Sequence, residues 1–366
     1  MVSHIAIYNG QLSAGGANRM LFHISDHLTK KGYNVDFLVS NASGDFADKV
    51  PEGVSLINLK SDRELASLPK ISRYLRKTEP DILLSTTHSS IVIAHLSLII
   101  SNCETEMISR QGTVLTKHFE NQDGIKNKIV YELMKHLIPR ADKVIAISEG
   151  VKTDLVQCTG LSESDISVIY NPAITSVADI EQKAQEETEH PWLSQKDNPV
   201  ILGAGRLVQQ KGFSTLLRAF KSITDTRDCR LIILGEGEDR GKLENYAKEL
   251  GIYDLVSLPG YIDNPYSYMG SADVFALSSE WEGFGIVLVE AMACGTPVVS
   301  TDCESGPEEI LENGRFGPLV NVGNYEQLAD SIQDMLDDPI PGSMLKQRAE
   351  DFDLDNVQQY EEIIYE

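Results

Sequence analysis

The sequence predicts an α/β protein with two doubly wound, Rossmann-like parallel-sheet domains that face each other across a cleft. Three observations lead to this prediction. The 366 residues are enough for two domains at roughly 150 residues each. Short β-rich runs alternate with amphipathic stretches along the chain, a pattern typical of parallel strands joined by crossover helices. This alternation stops once, after residue 172, and starts again with a strand at residue 200.

The first domain is predicted to cover residues 1–172. Its helices are expected near residues 16–31, 63–77, 89–101, 125–138 and 149–158. Gly32, which follows two lysines, is a typical helix stop. The strands of this domain are expected at His4–Ile7, Val35–Val39, Asp81–Ser85, Glu106–Ser109, Lys143–Ile147 and Ile166–Ile169.

Residues 173–198 are predicted to be a linker, because they are rich in Glu, Gln and Lys and show no β pattern. The second domain is predicted to cover residues 199–349, with helices near 212–224, 239–250, 265–270, 286–293 and 325–336. A last helix, about residues 350–366, can pack back on the first domain. The strands of the second domain are expected at Val200–Gly203, Arg230–Leu234, Val256–Leu258, Asp273–Leu277 and Pro297–Ser300.

The charge of the chain argues against one class of partner. Asp and Glu number 55 against 32 Lys and Arg, for a formal net charge of -23, so we expect no binding to nucleic acid. The first 172 residues hold 18 basic and 19 acidic side chains, so nearly all the negative charge lies in the second half. A near-neutral first half can meet an anionic membrane surface that the second half avoids.

The N-terminus lacks the basic segment and cleavage site of a secretory signal, which indicates a cytoplasmic protein, with the inner face of the membrane as a further location. No segment is predicted to cross a membrane, because the longest apolar run, residues 91–100, is about half of a bilayer span. The five cysteines are scattered and never in CxxC spacing, so we expect neither a disulfide framework nor a zinc site. We expect no metal and no cofactor.

A glycine-containing loop follows the first predicted strand. Gly15 and Gly16 come directly before the first helix, where small residues let backbone N–H groups face an anion. For a glycine pair alone, a flexible turn without a ligand is the alternative.

The second domain opens with a similar loop that also carries two cations. Gly203–Arg206 closes a strand, and Gln210–Gly212 starts the next helix. Arg206 and Lys211 therefore lie five residues apart across one loop and can converge on a diphosphate. Charge-assisted hydrogen bonds of roughly 1.5 to 3 kcal/mol each would hold such a group without a metal. Two solvated surface cations are the alternative.

Two glutamates frame a later junction between a strand and a helix. Glu282 lies at the mouth of the helix and Glu290 lies along it, with Gly283 and Gly285 bracketing the turn. Eight residues at 100° per residue leave the two carboxylates about 80° out of register, so they are not a stacked acid and base pair. We expect them to serve separate points of one extended ligand, which the glycines allow to approach the backbone.

Taken together, these motifs resemble a family-4 retaining glycosyltransferase of the GT-B fold. The resemblance spans nearly the whole chain and is strongest from 200 to 320. It rests on the Gly15–Gly16 loop, Gly-Arg-Leu-x3-Lys-Gly at 205–212, Pro-Gly-Tyr at 259–261, and Glu-Gly-Phe-Gly at 282–285 with Glu290 after it.

The resemblance implies roles for these residues. Glu282 would lie by the donor sugar, Glu290 would bind the ribose hydroxyls, and Arg206 with Lys211 would hold the diphosphate. Catalysis would then depend on Glu282, Arg206 and Lys211. The resemblance also implies donor contacts for Gly15, Gly16, Gly283, Phe284, Gly285 and, at the border of the base, Tyr261.

The sequence departs from this family at one position. The family often has a histidine after the fifth strand, whereas here Gln111 occupies that place, and glutamine does not titrate. Arg110 could instead add a cation to the leaving diphosphate. His88, after an earlier strand, is the nearest histidine candidate, with a capping or core histidine as the alternative. We name His88, Arg110 and Gln111 as candidate contacts from the first domain.

A basic amphipathic segment lies in the first domain. Residues 125–143 have a net charge of +3 and a second face of aliphatic side chains. This segment could rest on anionic lipid as a peripheral membrane contact, or pack on its own sheet. Lipid contact would indicate a membrane-anchored glycan or polyprenyl-linked acceptor, and a soluble acceptor is the alternative.

Other nucleotide-binding and metal motifs do not fit. The chain has neither GxGxxG nor GxxxxGK[ST]. Asp351, Asp353 and Asp355 lie after the last predicted helix of the second domain rather than at the end of a strand in mid-chain, and we interpret them as a solvated turn. The hypothesis is therefore a metal-independent retaining hexosyltransferase that uses a nucleotide diphospho-sugar, with UDP favoured, and a glycan or polyprenyl-linked acceptor. The alternatives are a nucleotide-sugar epimerase or hydrolase, and a non-catalytic nucleotide-sugar binding protein.

Overall fold

The computed structural model describes residues 2–12, 16–42, 49–120 and 124–365. The chain divides into two compact units. Unit 1 contains Met1–Pro172 and Asp355–Glu366, and unit 2 contains Ala173–Leu354. The chain therefore passes between the units twice, once after residue 172 and once after residue 354.

Unit 1 is built on a sheet in which seven strands are parallel, counted over the described residues. The strands are β1 (His4–Gln11), β2 (Asn34–Asn41), β3 (Ser55–Asn58), β4 (Ile82–Ser85), β5 (Glu106–Gln111), β6 (Lys143–Ala146) and β7 (Ile166–Val168). Their order across the sheet is β3-β2-β1-β4-β5-β6-β7, so the order reverses between β1 and β4. Such a reversal is the point where open α/β sheets place their ligands.

The helices of unit 1 connect these strands. They are α1 (Gly16–Lys30), α2 (Leu68–Thr78), α3 (His88–Ser101), α4 (Leu115–Glu120), α5 (Ile125–Leu137) and α6 (Glu149–Thr159). Local sequence explains their ends. The side chain of Ser148 caps α6 by accepting a hydrogen bond from the Val151 N–H, and Gly160 ends that helix at φ +77.

Unit 2 is built on a second parallel sheet, with six strands among its residues, all of which are described. The strands are β8 (Val200–Ala204), β9 (Arg230–Leu234), β10 (Val256–Gly260), β11 (Val274–Leu277), β12 (Val298–Thr301) and β13 (Leu319–Val320). Their order is β10-β9-β8-β11-β12-β13, and it reverses between β8 and β11. The central strands are buried along their length because helices cover both faces of the sheet.

The helices of unit 2 show the pattern expected of a covered sheet. In α9, the residues Phe213, Leu216, Leu217, Phe220 and Ile223 recur at helical spacing and are all buried in one core. The full set is α7 (Val177–Ala184), α8 (Pro191–Ser194), α9 (Phe213–Thr224), α10 (Arg240–Glu249), α11 (Pro265–Ser271), α12 (Ile286–Ala293), α13 (Pro307–Ile310), α14 (Tyr325–Asp337) and α15 (Gly342–Glu350).

The last helix, α16 (Gln358–Tyr365), packs on unit 1 although it follows unit 2 in the chain. Its carbonyl at Ile363 accepts a hydrogen bond from Lys143 Nζ at 2.5 Å. Its Tyr360 hydroxyl accepts a hydrogen bond from Arg110 Nε at 2.7 Å. Both contacts join the helix to strands of the unit 1 sheet.

The two parallel sheets confirm the predicted fold class. Strands β3 and β13 were not predicted, because β3 is a half-exposed edge strand of four residues and β13 has only two. The segment 173–198, for which we predicted a linker, contains α7 and α8, and α7 packs against α11 inside unit 2.

Candidate functional site

The candidate site of unit 2 lies at the carboxyl edge of its sheet, where β8 and β11 are neighbours. The loops after these two strands are tied together. Ser278 Oγ donates to the Lys211 carbonyl at 2.9 Å, and the Glu280 N–H donates to the Gln210 carbonyl at 2.8 Å. Gly212 is required between them, since a Cβ there would lie 2.0 Å from the Ser278 carbonyl oxygen.

Lys211 and Glu282 form an ion pair in this place, with Lys211 Nζ 2.5 Å from Glu282 Oε1. The two side chains are only 13% and 8% exposed. Ser279 Oγ donates to the same carboxylate oxygen at 2.7 Å. An ammonium group and a carboxylate are therefore in contact, largely buried, at the place where the strand order reverses.

Arg206 lies in the same loop but faces solvent. Its guanidinium donates to Gln210 Oε1 at 3.3 Å, and among the described residues no carboxylate lies within ion-pair distance of it. The stem of Lys211 packs over Gly205, where a Cβ would lie 3.1 Å from Lys211 Cε. The loop thus offers one exposed cation and one paired cation.

Glu290 lies on α12, away from the ion pair, as the helical register of the two glutamates predicts. It is 4% exposed, and the Tyr266 hydroxyl donates to its Oε1 at 3.1 Å. Burial, and to a lesser degree the charge of Glu290, raise the pKa of the Cys294 thiol to about 12. The two glutamates therefore have different partners and different surroundings.

A second loop, which contains Ser305 and Gly306, packs against the turn before α12. Ser305 Oγ donates to the Gly283 carbonyl at 2.7 Å, and a Cβ at Gly306 would lie 1.9 Å from the Phe284 carbonyl oxygen. Phe284 is 2% exposed, and Gly285 caps α12 at φ +99. The peptide groups at the start of α12 are thus positioned by packing.

Tyr261 lies apart from these groups. It follows β10, the outermost strand on one side of the sheet, and it is 58% exposed. Gly260 before it has φ +97. The structure therefore brings Lys211 and Glu282 into contact but leaves Tyr261 two strands away from β8.

In unit 1, the glycine loop is only partly covered by the structure. Gly15 lies outside the described residues, and Gly16 is the first residue of α1.

His88 is the first residue of α3 and follows β4. Its Nε2 forms a hydrogen bond with Thr113 Oγ1 at 3.1 Å, and its ring centroid lies 4.1 Å from that of His118. Burial, with a smaller contribution from His118, lowers the pKa of His88 to about 3. His88 is therefore neutral at physiological pH.

Arg110 and Gln111 end β5 and are both buried. The guanidinium of Arg110 donates to Tyr360 Oη at 2.7 Å, to Thr86 Oγ1 at 2.8 Å and to Asn171 Oδ1. Each of its nitrogens thus already has a protein acceptor. The amide of Gln111 has no hydrogen-bond partner among the described residues for either its oxygen or its nitrogen.

Several residues that shape the site were not predicted from the sequence. Ser279 and Tyr266 hold the two glutamates, and Ser305 and Gly306 hold the turn before α12. The spacing of Ser279 three residues before Glu282 was a usable local signal. Tyr266 and Ser305 carried no such signal, because they lie 24 and 22 residues from the groups that they contact.

Across residues 2–12, 16–42, 49–120 and 124–365, no group of three or more His, Cys, Asp or Glu side chains has the arrangement of a metal site. Over the same residues, no helix combines the length and the apolar character that a membrane span needs.

Both units match known protein families. Residues 14–177 match the family described as Glycosyltransferase Family 4, and residues 184–352 match the one described as Glycosyl transferases group 1. The chain is 34% identical over 241 residues to the N-acetylgalactosamine-N,N'-diacetylbacillosaminyl-diphospho-undecaprenol 4-alpha-N-acetylgalactosaminyltransferase of Campylobacter jejuni. That alignment includes 66% of this chain and spans 60% of the length of the relative.

Two further matches extend over more of the chain. The lipopolysaccharide core biosynthesis glycosyltransferase LpsE of Rhizobium meliloti is 29% identical over 332 residues, which are 88% of this chain and 86% of LpsE. The crystal structure of HepE from Anabaena in complex with UDP-glucose has a TM-score of 0.83 and 22% identity, and 99% of both chains is covered. At that identity the likeness concerns the fold.

Proposed function

The chain belongs to glycosyltransferase family 4, and we propose that it transfers a hexose or N-acetylhexosamine from a nucleotide diphospho-sugar to a glycan or polyprenyl-linked acceptor. A UDP-sugar is the favoured donor, and the likeness in fold to HepE, which was crystallised with UDP-glucose, supports this choice. The name of the Campylobacter relative includes a sugar linked to diphospho-undecaprenol, which supports an acceptor of that class.

One observation carries this proposal. The loops after β8 and β11 bring Lys211 and Glu282 within 2.5 Å of each other where the strand order reverses. A cation at that edge suits the diphosphate of a donor, and a carboxylate suits the hydroxyls of its sugar. We therefore assign Lys211 and Arg206 to the diphosphate and Glu282 to the donor sugar.

The mechanism that we propose retains the anomeric configuration. The bond between the anomeric carbon and the diphosphate oxygen breaks, and the acceptor hydroxyl bonds to that carbon from the same face. Its proton passes to the diphosphate oxygen. Lys211 uses one of its three N–H groups on Glu282, so two are left for the leaving diphosphate, where Arg206 adds a second charge. We propose that these donors, together with the backbone N–H groups at the start of α12, stabilise the leaving diphosphate without a metal.

The remaining donor contacts are those that the resemblance to the family implies. Glu290, buried on α12 beside Tyr266, would bind the ribose hydroxyls. The backbone of Gly283–Gly285 would contact the phosphate and the sugar at the start of α12, and Gly15 with Gly16 would do so from unit 1. Tyr261 would border the base.

From unit 1 we propose contacts to substrate through His88 and Gln111. The unpartnered amide of Gln111 supports this, because a buried amide without a partner costs about 1 to 3 kcal/mol, which a sugar hydroxyl could offset. Arg110 contributes indirectly, since its nitrogens already bind protein oxygens. His88 would act as a neutral hydrogen-bonding group.

A donor screen tests the first half of the proposal. Thermal unfolding of the purified protein is measured against a panel of nucleotide sugars, and we expect stabilisation by at least one UDP-sugar. Arg206→Ala should weaken that donor about tenfold or more without changing unfolding of the free protein, because Arg206 is exposed. Lys242→Ala, which removes another exposed cation of unit 2, is the control and should leave donor affinity unchanged.

Product analysis tests the second half. We expect transfer that requires an acceptor, a product whose anomeric proton coupling matches that of the donor, and full activity in a chelator. Inversion, or loss of activity that a divalent ion restores, would contradict the mechanism. Donor turnover without any acceptor would favour an epimerase or hydrolase, and donor binding without turnover would favour a binding protein.

We also propose that α5 rests on an anionic membrane. Its first two turns expose Ile125 and Ile129, which are 79% and 54% exposed, beside Lys126 and Lys128. Met134 belongs to the buried end, which packs on unit 1. The protein should float with phosphatidylglycerol vesicles and not with phosphatidylcholine vesicles, and Ile125→Ser with Ile129→Ser should abolish flotation.

A further inference from the structure

One carboxylate lies over the point where the strand order of unit 1 reverses. Glu64 opens a short 3-10 helix, Glu64–Ser67, and its side chain lies against Gly10 at the end of β1. A Cβ at Gly10 would lie 2.3 Å from Glu64 Oε1 and 2.5 Å from Glu64 Cδ. The carboxylate thus occupies the space that any side chain at Gly10 would need.

Hydrogen bonds to Ser40, near the end of β2, set the position of this short helix. Ser67 Oγ donates to Ser40 Oγ at 2.8 Å, and the hydroxyl of Tyr8 lies 3.0 Å from the same atom. The Ser61 N–H donates to the Ser40 carbonyl at 2.7 Å. Burial raises the pKa of Tyr8 to about 12, and the charge of Glu64 acts in the same direction. Glu64 is therefore held close to the end of β1.

The carboxylate of Glu64 is half-buried and, among the described residues, has no hydrogen-bond or ion-pair partner. The nearby Gly10 N–H donates to Ser90 Oγ at 2.9 Å instead. An ionised carboxylate can accept about four hydrogen bonds. Since ligands of open α/β sheets bind where the strand order reverses, this unused capacity lies where a substrate is expected.

We propose that Glu64 binds hydroxyl groups of the acceptor sugar, an inference that rests on the proposed function. Two neighbouring hydroxyls of a sugar ring can both donate to one carboxylate, and such charge-assisted bonds are strong. An uncharged sugar ring suits this place better than a diphosphate, because the Glu64 carboxylate would repel a diphosphate in contact with it. Glu64 thus selects the neutral ring of the acceptor at the end of β1.

Steady-state kinetics of variants test this assignment. The acceptor is the best substrate of the wild-type protein from a panel of soluble oligosaccharides and polyprenyl-diphosphate-linked saccharides. Glu64→Ala should raise the KM for this acceptor about tenfold or more and leave the KM for the donor within twofold. Glu64→Gln should have a smaller effect, because the amide keeps one acceptor oxygen. Glu52→Gln, at an exposed acid of the same unit, is the control and should match the wild type.

Gly10 provides a second, independent variant. Its backbone φ is not positive, so Gly10→Ala adds only the Cβ that displaces the Glu64 carboxylate. We expect Gly10→Ala to raise the acceptor KM as Glu64→Ala does. In the Glu64→Ala background, Gly10→Ala should add nothing, because the group that it displaces is gone.

The outcomes separate this inference from the proposed function. If the wild type transfers sugar but Glu64→Ala leaves the acceptor KM unchanged, or raises the donor KM instead, the assignment of Glu64 is wrong and the transferase function stands. Additive effects of Gly10→Ala and Glu64→Ala would also overturn the assignment. If the wild type transfers no sugar to any acceptor in the panel, the proposed function fails and this inference fails with it.

Discussion

Lys211 Nζ lies 2.5 Å from Glu282 Oε1, although the two residues are 71 positions apart in the sequence. Both side chains are largely buried, and Ser279 donates a further hydrogen bond to the same oxygen. The ion pair therefore joins the loop after β8 to the loop after β11. Glu282, which we assign to the donor sugar, thus orients the ammonium group of Lys211, which we assign to the diphosphate.

The ion pair predicts a stability effect that is separate from catalysis. Lys211→Met leaves the buried carboxylate of Glu282 without its cation and should lower the free energy of unfolding by about 2 to 4 kcal/mol. Chemical denaturation in urea measures this loss. The double variant Lys211→Met with Glu282→Gln should recover at least half of it, because no unpaired charge is left. Equal stability of Lys211→Met and the wild type would show that the pair contributes nothing to folding.

Two histidines, His88 and His95, predict how stability depends on pH. Burial lowers the pKa of His88 to about 3 and that of His95 to about 4, while the unfolded chain binds these protons near pH 6.5. The unfolded state therefore holds more protons between these values, so stability should fall as pH falls from 7 to 4. The slope should be at most about 1.4 kcal/mol per pH unit for each histidine. Urea midpoints at pH 7, 6, 5 and 4 measure it.

The control for this prediction is His88→Asn, which removes one titrating group. Its stability should decline less steeply with falling pH than that of the wild type. Parallel pH profiles for the two proteins would mean that His88 titrates normally in the folded state.

The buried guanidinium of Arg110 predicts how α16 is attached. It binds Tyr360 on α16 and Asn171, which lies two residues before residue 173, where unit 2 begins. Arg110→Met should destabilise the protein by about 3 kcal/mol or more, because several buried oxygens lose their donor. Tyr360→Phe removes one acceptor and should cost about 1.5 to 3 kcal/mol, the usual range for a hydrogen bond to a charged group.

Hydrogen exchange shows whether the effect is local. Amides of residues 358–365 should exchange faster in both variants, while those of β8 should be unchanged, because β8 lies in unit 2. Unchanged exchange in α16 would mean that other contacts, such as that of Lys143 with Ile363, are sufficient to hold the helix.

Gly306 predicts a backbone requirement behind the turn before α12. It has φ +92, and a Cβ would lie 1.9 Å from the Phe284 carbonyl oxygen. Gly306→Ala should cost clearly more than the roughly 1 to 2 kcal/mol of a strained φ and should reduce donor affinity through the displaced turn. Gly323→Ala is the matched control, since Gly323 has φ +76 with open space around it and should cost only the strain. Urea unfolding and donor titration compare the two, and equal costs would contradict the steric argument.

Much of the fold could be predicted because its information is local. The buried runs of β8 and β11 and the helical spacing in α9 are patterns within a few residues, and the structure confirms the fold class that they predict. The edge strand β3 was missed because its half-exposed residues carry little of this pattern. In the site, Lys211, Glu282 and Glu290 were named from motifs, but their partners Ser279 and Tyr266 were not.

Arg110 and Glu64 have contacts that their local sequence does not predict. From the sequence, Arg110 was a candidate cation for the leaving diphosphate. In the structure its guanidinium instead donates a hydrogen bond to the hydroxyl of Tyr360, 250 residues away. Glu64 has no motif around it, and the tertiary packing of its short helix, which includes the hydrogen bond from Ser67 to Ser40, brings it to Gly10. Both contacts depend on residues that are distant in the sequence.

The sequence by itself predicted the two parallel sheets, the family, and the side chains that we propose for a sugar nucleotide, because periodicity and motif spacing act over short distances. Only the tertiary structure decided which of those side chains pair, which are buried, and that Glu64 has no hydrogen-bond or ion-pair partner in the described part of the chain. Hydrogen bonds and ion pairs depend on distances of a few ångströms, and the packing of distant segments sets those distances.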